Sequence, residues 1–234
     1  GEQDMRKMGG LKERLPRTYL CFAAGWVAIA GVPFTAGFFS KDEILYRAFL
    51  ESKALWAAAA VGAAMTAIYM TRLMGMTFFG KSRVDSHVAH HIHEAPPTMM
   101  TALVILAVLS LIGGFIGMPA SWFGPSPFEH WLEPVFAVAG HGSAAGHDGP
   151  EILLMILSSV VALTGIGAGY WMWVTRPEIP GKIAASLGGL HAFVKGKLYV
   201  DEMYEMVILN PYYAVCRGLA RFDQVAVDGT VNGV

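Results

Sequence analysis

The residues best suited to chemistry are Lys41 and Asp42, an amine and a carboxylate that directly follow an uncharged run from about Thr18 to Phe39. That run is interrupted by Gly31-Val32-Pro33. Pro33 has no N–H to donate, so the carbonyl of Ile29 loses its helical partner. In hydrocarbon a freed carbonyl must find another protein group or water, and such breaks line cavities. Ser40-Lys41-Asp42-Glu43 then has the form of a capping box, with Ser40 as N-cap and Glu43 three residues later. On that reading a second half-helix runs from Lys41 to about Glu51. A lysine set between a helix terminus and a carboxylate is a candidate for taking up and releasing a proton. The same residues allow another reading. As one helix, Thr18 to Ser52 would be ~52 Å long, well over a membrane core. Lys41 would then lie at the outer interface, with Glu43–Arg47 and Arg47–Glu51 as solvated pairs one turn apart. Spacing alone leaves both open.

Other polar residues carry less. Arg72 lies near the end of an apolar run, where it either snorkels to the inner interface or joins a polar path. His87, His90, His91 and His93 form a dense tract, but it sits in a polar connection without a cysteine and ends in Ala95-Pro96-Pro97, so it reads as a solvated loop and no metal site is assigned. His141 and His147 stand among glycines and read the same way. Cys21 and Cys216 are far apart in unrelated contexts and imply neither a disulfide framework nor a metal motif. No phosphate loop, nucleophile elbow or haem ligand pair stands out.

The elements that must position Lys41 and Asp42 follow from composition. Of 234 residues 54% are apolar and 15% charged, and the mean hydropathy is +0.46, too oily for an ordinary soluble domain. A net charge of −1 gives no basic excess for nucleic acid. Four stretches can span a bilayer, which needs ~20 apolar residues. The chain reads as all-α and polytopic: a cytoplasmic-side opening segment over 1–17, a broken transmembrane helix over 18–52, and a transmembrane helix over 54–79. A His-rich inner loop over 80–97 leads to a transmembrane helix over 98–118, an outer loop over 119–150 with a short interfacial element at Phe128–Val138, and a transmembrane helix over 151–174. An inner linker over 175–196 and an amphipathic helix from 197 to 234, kinked at Pro211, complete it. Lys and Arg collect in the opening segment, around Lys81 and Arg83, and after the last span, while 119–150 has none. The positive-inside rule therefore puts the three basic regions on the cytoplasmic side, with Arg47 and Lys53 as the exceptions.

Two segments carry a family resemblance. Glu2 through Leu11, followed by Gly31-Val32-Pro33-Phe34-Thr35-Ala36-Gly37-Phe38-Phe39-Ser40-Lys41-Asp42-Glu43-Ile44, closely resembles the antiporter-like subunit L (subunit 5) family of proton-pumping NADH–quinone oxidoreductase, respiratory complex I. Tyr69 through Gly80, His93-Glu94-Ala95-Pro96 and Lys197-Leu198-Tyr199-Val200-Asp201-Glu202-Met203-Tyr204 extend the likeness over nearly the whole chain, the last resembling the start of that subunit's lateral helix.

The resemblance implies that the first span matches the family's broken twelfth helix, with Lys41 as the protonatable lysine and Asp42 its charged neighbour at the outward end of a proton path. Gly31 and Pro33 make the break, and Arg72 stands as a residue that could extend a polar path. It implies an interior piece, roughly the twelfth to fifteenth helices, in a bacterial inner membrane rather than a mitochondrial one. Such a piece would not pump alone, because the inward half-channel belongs to the preceding helices. No cofactor is expected on this chain: NADH, FMN, iron–sulfur clusters and quinone belong to partner subunits. The partners implied are the lipid bilayer and neighbouring antiporter-like subunits along the lateral helix, with no nucleic acid. The large subunit of a multisubunit Na+/H+ antiporter shares the broken-helix motif and is the alternative, and a non-conducting structural subunit is the third reading.

Overall fold

The structure, a computed structural model, describes residues 2–118, 127–136, 148–231 and 233. It is helical throughout, without a strand among the described residues. His141 and His147, Val138 and most of the expected outer loop lie outside the described residues. The chain divides into two units, Gly1–Ile179 and Pro180–Val234.

In the first unit, helix α1 is Pro16–Ala30, α2 is Ala36–Glu51, α3 is Lys53–Phe78, α4 is Ser86–Ala89 and α5 is Pro97–Ile112. A 3-10 turn, Gly113–Gly117, prolongs α5. Helix α6 is Pro127–Phe136 and α7 is Asp148–Tyr170, the latter running on into a π-helical turn, Trp171–Thr175. Three stretches are long and apolar enough to cross a membrane by length and composition: Lys53–Phe78, Pro97–Gly117 and Ile152–Thr175. Helices α1 and α2 have 15 and 16 residues. Each is short of the ~20 residues a span needs, so the expected first span is divided between them.

The break is built by side-chain size and backbone chemistry. Gly31 ends α1 in the left-handed region, at φ 84°, where a Cβ would clash with the carbonyl. Its N–H donates to Ala28 O and that of Val32 to Val27 O, both at 3.0 Å, the double closure of a Schellman C-terminus. Thr35, extended at φ −96° and ψ 163°, is the N-cap of α2. Ser40 is therefore inside α2 and does not cap it. The helix begins at Ala36 because the chain turns back into helical geometry immediately after Thr35, whose N–H donates to Val32 O. Gly37 permits this early start: a Cβ there would lie 1.9 Å from the carbonyl oxygen of Ala28.

Helix α3 is the hub of the unit, packing against α7, α1 and α2. Its contact with α7 is close because Gly165 and Gly169, four apart, face Ala67 and Thr71. A Cβ on either glycine would come within 2.8 Å of Ala67 Cβ or 2.7 Å of Thr71 Cβ. Small residues at this spacing let helix backbones approach in a membrane, where hydrophobic driving force between helices is absent. Ala67, Thr71 and Met74 are accordingly almost completely buried. Farther out, Phe38 and Phe39 of α2 pack with Met155 of α7. Leu20, Ile44, Val61, Ile105 and Leu153 face outward, as lipid-contacting residues do.

In the second unit, two expectations change form. The expected linker over 175–196 is largely a helix, α8, Ile179–Lys195, which begins in the first unit and is interrupted at Gly188 (φ 44°, ψ −110°). Helix α9, Val200–Tyr204, continues through a π-helical turn, Glu205–Leu209, into α10, Asn210–Phe222. The expected kink at Pro211 takes the form of that π turn: widening the helix just before the proline separates its ring from the carbonyl it would otherwise strike. Leu198, Tyr204, Val207, Leu219 and Phe222 are all exposed, although they recur at helical spacing.

Candidate functional site

Lys41 and Asp42 are neighbours on α2, so their side chains diverge by about 100° around the helix. The Lys41 side chain reaches back to the end of α1, where Nζ donates to Ile29 O at 2.8 Å. This is the carbonyl that Pro33 leaves without a backbone donor, so the lysine satisfies the helix break. Lys41 Nζ packs over Gly31, where a Cβ would sit 3.4 Å away in ordinary contact, so it is the positive φ and not this approach that calls for glycine.

Asp42 turns the other way and is 8% exposed. Its Oδ1 accepts a hydrogen bond from Ser158 Oγ of α7, while its Oδ2 is buried without a hydrogen-bond partner among the described residues. The two side chains line one cavity of about 240 Å³. Ala30 and Gly31 of α1, Trp56 and Ala60 of α3, and Leu157 of α7 contribute its apolar walls, and Ser158 is its third polar side chain. The space admits several water molecules. A carboxylate with one oxygen unsatisfied in such surroundings is costly, because the attraction of low-dielectric partners must offset lost hydration. Groups of this kind within a span mark ion paths by default.

The fold thus brings Gly31, Lys41 and Asp42 to one cavity. Pro33 sits in the linker between the half-helices, outside the lining. Arg72 is also outside it: its guanidinium carbon lies 5.6 Å from the Trp173 ring centroid, and its Nε is buried without a hydrogen-bond partner among the described residues. Glu43 pairs with Arg47 at 2.6 Å, as the spacing allows. Ser158 was not legible as a site residue from sequence reasoning, yet a signal existed. Ser158-Ser159 is a hydroxyl pair inside the otherwise apolar run from Ile152 to Leu163, and a hydroxyl in a span must find an acceptor. Ser159 bonds its own helix, at Met155 O. Ser158 reaches across.

At the opposite end of the helices, Glu94 and Arg83 are each held by several hydrogen bonds. Glu94 accepts from the N–H of Arg17 at 2.7 Å and from both the N–H and the Oγ1 of Thr18, at 3.3 and 2.7 Å. It therefore caps the N-terminus of α1 from 76 residues away. Desolvation pushes its carboxyl up, but the bonds from Thr18 and Arg17 outweigh this and hold it below the ordinary value. Arg83 donates to the carbonyls of Arg6, Met5 and Met76, and Arg14 to that of Ala89. The opening segment and the His-rich connection thus meet at one end of the bundle, as alternation of spans requires. His87 joins a short helix whose N-cap is Asp85.

Comparisons with known proteins agree with this arrangement. The family described as NADH:quinone oxidoreductase/Mrp antiporter, transmembrane, matches residues 1–67, which contain the helix break, Lys41 and Asp42. Over 238 residues, covering all of this chain, it is 37% identical to NADH-quinone oxidoreductase subunit L of Mycobacterium tuberculosis, 36% of which is matched. NAD(P)H-quinone oxidoreductase chain 5 of a Picosynechococcus species is 35% identical over 251 residues, covering 98% of this chain and 37% of its own length. Subunit L of Escherichia coli is 33% identical over 224 residues, covering 94% and 33%. The chain spans about a third of the length of the curated relatives it matches. It is a helical membrane protein similar along its length to subunit L and chain 5 of the quinone oxidoreductases, and its residues 1–67 match the NADH:quinone oxidoreductase/Mrp antiporter transmembrane family.

Proposed function

We propose that this chain is part of a proton-translocating membrane subunit of an NADH–quinone oxidoreductase, and that Lys41 and Asp42 form the outward section of its proton path. One observation carries the reading: a lysine and an incompletely satisfied carboxylate line a common, mostly apolar cavity at a break between two half-helices. A proton arriving in that cavity meets two titratable groups on adjacent residues, about 100° apart around the helix, so a change of charge on one alters the field at the other. Lys41 is the carrier, tethered to Ile29 O and released from it when water enters. Asp42 is its counter-charge.

The driving energy comes from redox steps on partner subunits, which hold NADH, FMN, iron–sulfur clusters and quinone. This chain contributes no redox centre to them. Its C-terminal helices, with exposed apolar residues at helical spacing, run along neighbouring antiporter-like subunits. The membrane is the bacterial inner membrane.

The test uses the parent complex reconstituted into liposomes, following NADH–quinone turnover and proton uptake together. Lys41→Ala is expected to lower proton uptake per electron while the assembled complex still transfers electrons. Unchanged proton uptake per electron would give the chain a structural role instead. Purified parent protein that lacks electron transfer but exchanges sodium for protons would assign it to the antiporter complexes.

A further inference from the structure

Ser158 has one hydroxyl hydrogen and two acceptors. Its Oγ lies within hydrogen-bond reach of Asp42 Oδ1 on α2 and, at 3.0 Å, of Met155 O one turn back on its own helix. A hydroxyl also accepts, through lone pairs left free when it donates. We propose that Ser158 is a positioning residue for Asp42, a two-way hydroxyl that matches both protonation states of the carboxyl group across the α2–α7 contact. This rests on the reading of Asp42 as part of the proton path.

With Asp42 ionised, the hydroxyl hydrogen points at Oδ1. When Asp42 takes a proton from the cavity, an O–H bond forms at Oδ1 and donates to Ser158 Oγ, and the serine hydrogen swings to Met155 O, an acceptor it shares with Ser159 Oγ. The same proton leaves to the cavity and the serine turns back, so no atom or charge is gained or lost. The alternative position is worse. A proton on Oδ2 would be a buried donor with no acceptor among the described residues, since that oxygen has no hydrogen-bond partner. Other charged groups do not compete for Asp42 within the cavity. Lys41 is engaged with Ile29 O, and α1, α3 and α7 contribute no charged side chain to the lining. Helix α5 and its 3-10 extension, which also pack against α2, contain no charged residue over 97–117.

The experiment measures proton translocation by the reconstituted parent complex, normalised to electron transfer, in Ser158→Ala, Ser158→Cys, Ser158→Thr, Asp42→Asn and the Ser158→Ala/Asp42→Asn pair. A hydrogen bond to a charged group sets the scale, so Ser158→Ala is expected to lower the rate about tenfold. Ser158→Cys is expected to follow it, having a weak donor of similar size. Ser158→Thr, which keeps the hydroxyl, is expected to restore most of the rate. The double variant should be no slower than Asp42→Asn alone, because the serine acts through that carboxyl. Wild-type rates in both Ser158→Ala and Ser158→Cys would overturn the proposal, as would equal loss in Cys and Thr. Should Ser158→Ala not assemble, the Cys and Thr variants decide the matter. Unchanged translocation in Asp42→Asn would instead overturn the underlying reading of the path.

Discussion

Two ends of the first unit hold charged residues, and they are treated oppositely. At the end with the opening segment, Glu94 takes three hydrogen bonds and Arg83 gives four to the backbone carbonyls of Arg6, Met5, Met76 and Lys81. At the cavity, among the described residues, Asp42 has one oxygen bonded and one without a partner, and Lys41 has a single carbonyl to hold. The first group behaves as staples, each tying the chain to a helix end or loop. The second group is left short of partners inside an apolar shell, which costs stability and is sustained only by surrounding packing. The lesson is that charged residues in this protein are held in two separable ways, tied down by several bonds or left short of partners beside a cavity, and the second is the setting the proposed proton path requires.

Substitutions at the two ends should therefore fail in different assays. The largest effect belongs to Lys41→Met, expected to depress proton translocation of the parent complex about tenfold or more, with a smaller loss of Tm from the Ile29 carbonyl left without its donor; a large loss of Tm with intact translocation would erase the distinction. Next comes Gly37→Ala. Its Cβ would meet the Ala28 carbonyl oxygen at 1.9 Å, backbone against backbone, so the half-helices must separate, at a cost of about 3 kcal/mol. Denaturant or thermal titration of the parent complex would register it.

Glu94→Gln sharpens the other side of the contrast. It keeps the shape but removes the charge at a helix N-terminus, an expected loss of about 1 kcal/mol with translocation unchanged. The pH dependence has a definite sign. The Glu94 carboxyl is held below its ordinary value of 4.5 in the folded protein, so its contribution is complete above that value and is lost as pH falls through the lower folded one. A melting series below pH 5 in wild type and Glu94→Gln should show the two converge as pH falls. The smallest effect is Asp4→Asn. Arg6 bonds hold the Asp4 carboxyl at about 2, but the pair is at the solvent-exposed edge, where ion pairs contribute little. No measurable change in Tm is expected, and a clear one would show that this edge is covered in the assembled protein.

Much of this organisation was legible in the residues. Apolar runs of bilayer length gave the helices that became α3, α5 and α7, and Pro33 alone implied an Ile29 carbonyl in search of a donor. The capping box at Ser40 misled because Ser-x-x-Glu is a local pattern. It cannot register that Gly37 allows α2 to start a turn earlier, against Ala28. The 175–196 stretch, read as an inner linker, is largely helix with an interruption at Gly188. Glu94 and Ser158 were missed for a shared reason: their partners lie 76 and 116 residues away, beyond any periodicity.

By itself, then, the sequence determined that this is a membrane-spanning helical protein, that Pro33 frees the Ile29 carbonyl in its first apolar run, and that Lys41 and Asp42 follow that run. Hydrophobic length and the missing proline N–H are local properties, and they act wherever the chain is placed. Only the tertiary structure decided that Lys41 closes the Ile29 carbonyl, that Ser158 holds one oxygen of Asp42, and that both charges share a cavity. Those outcomes depend on which helices touch. That in turn was set by the small residues at 165 and 169 that bring α7 against α3.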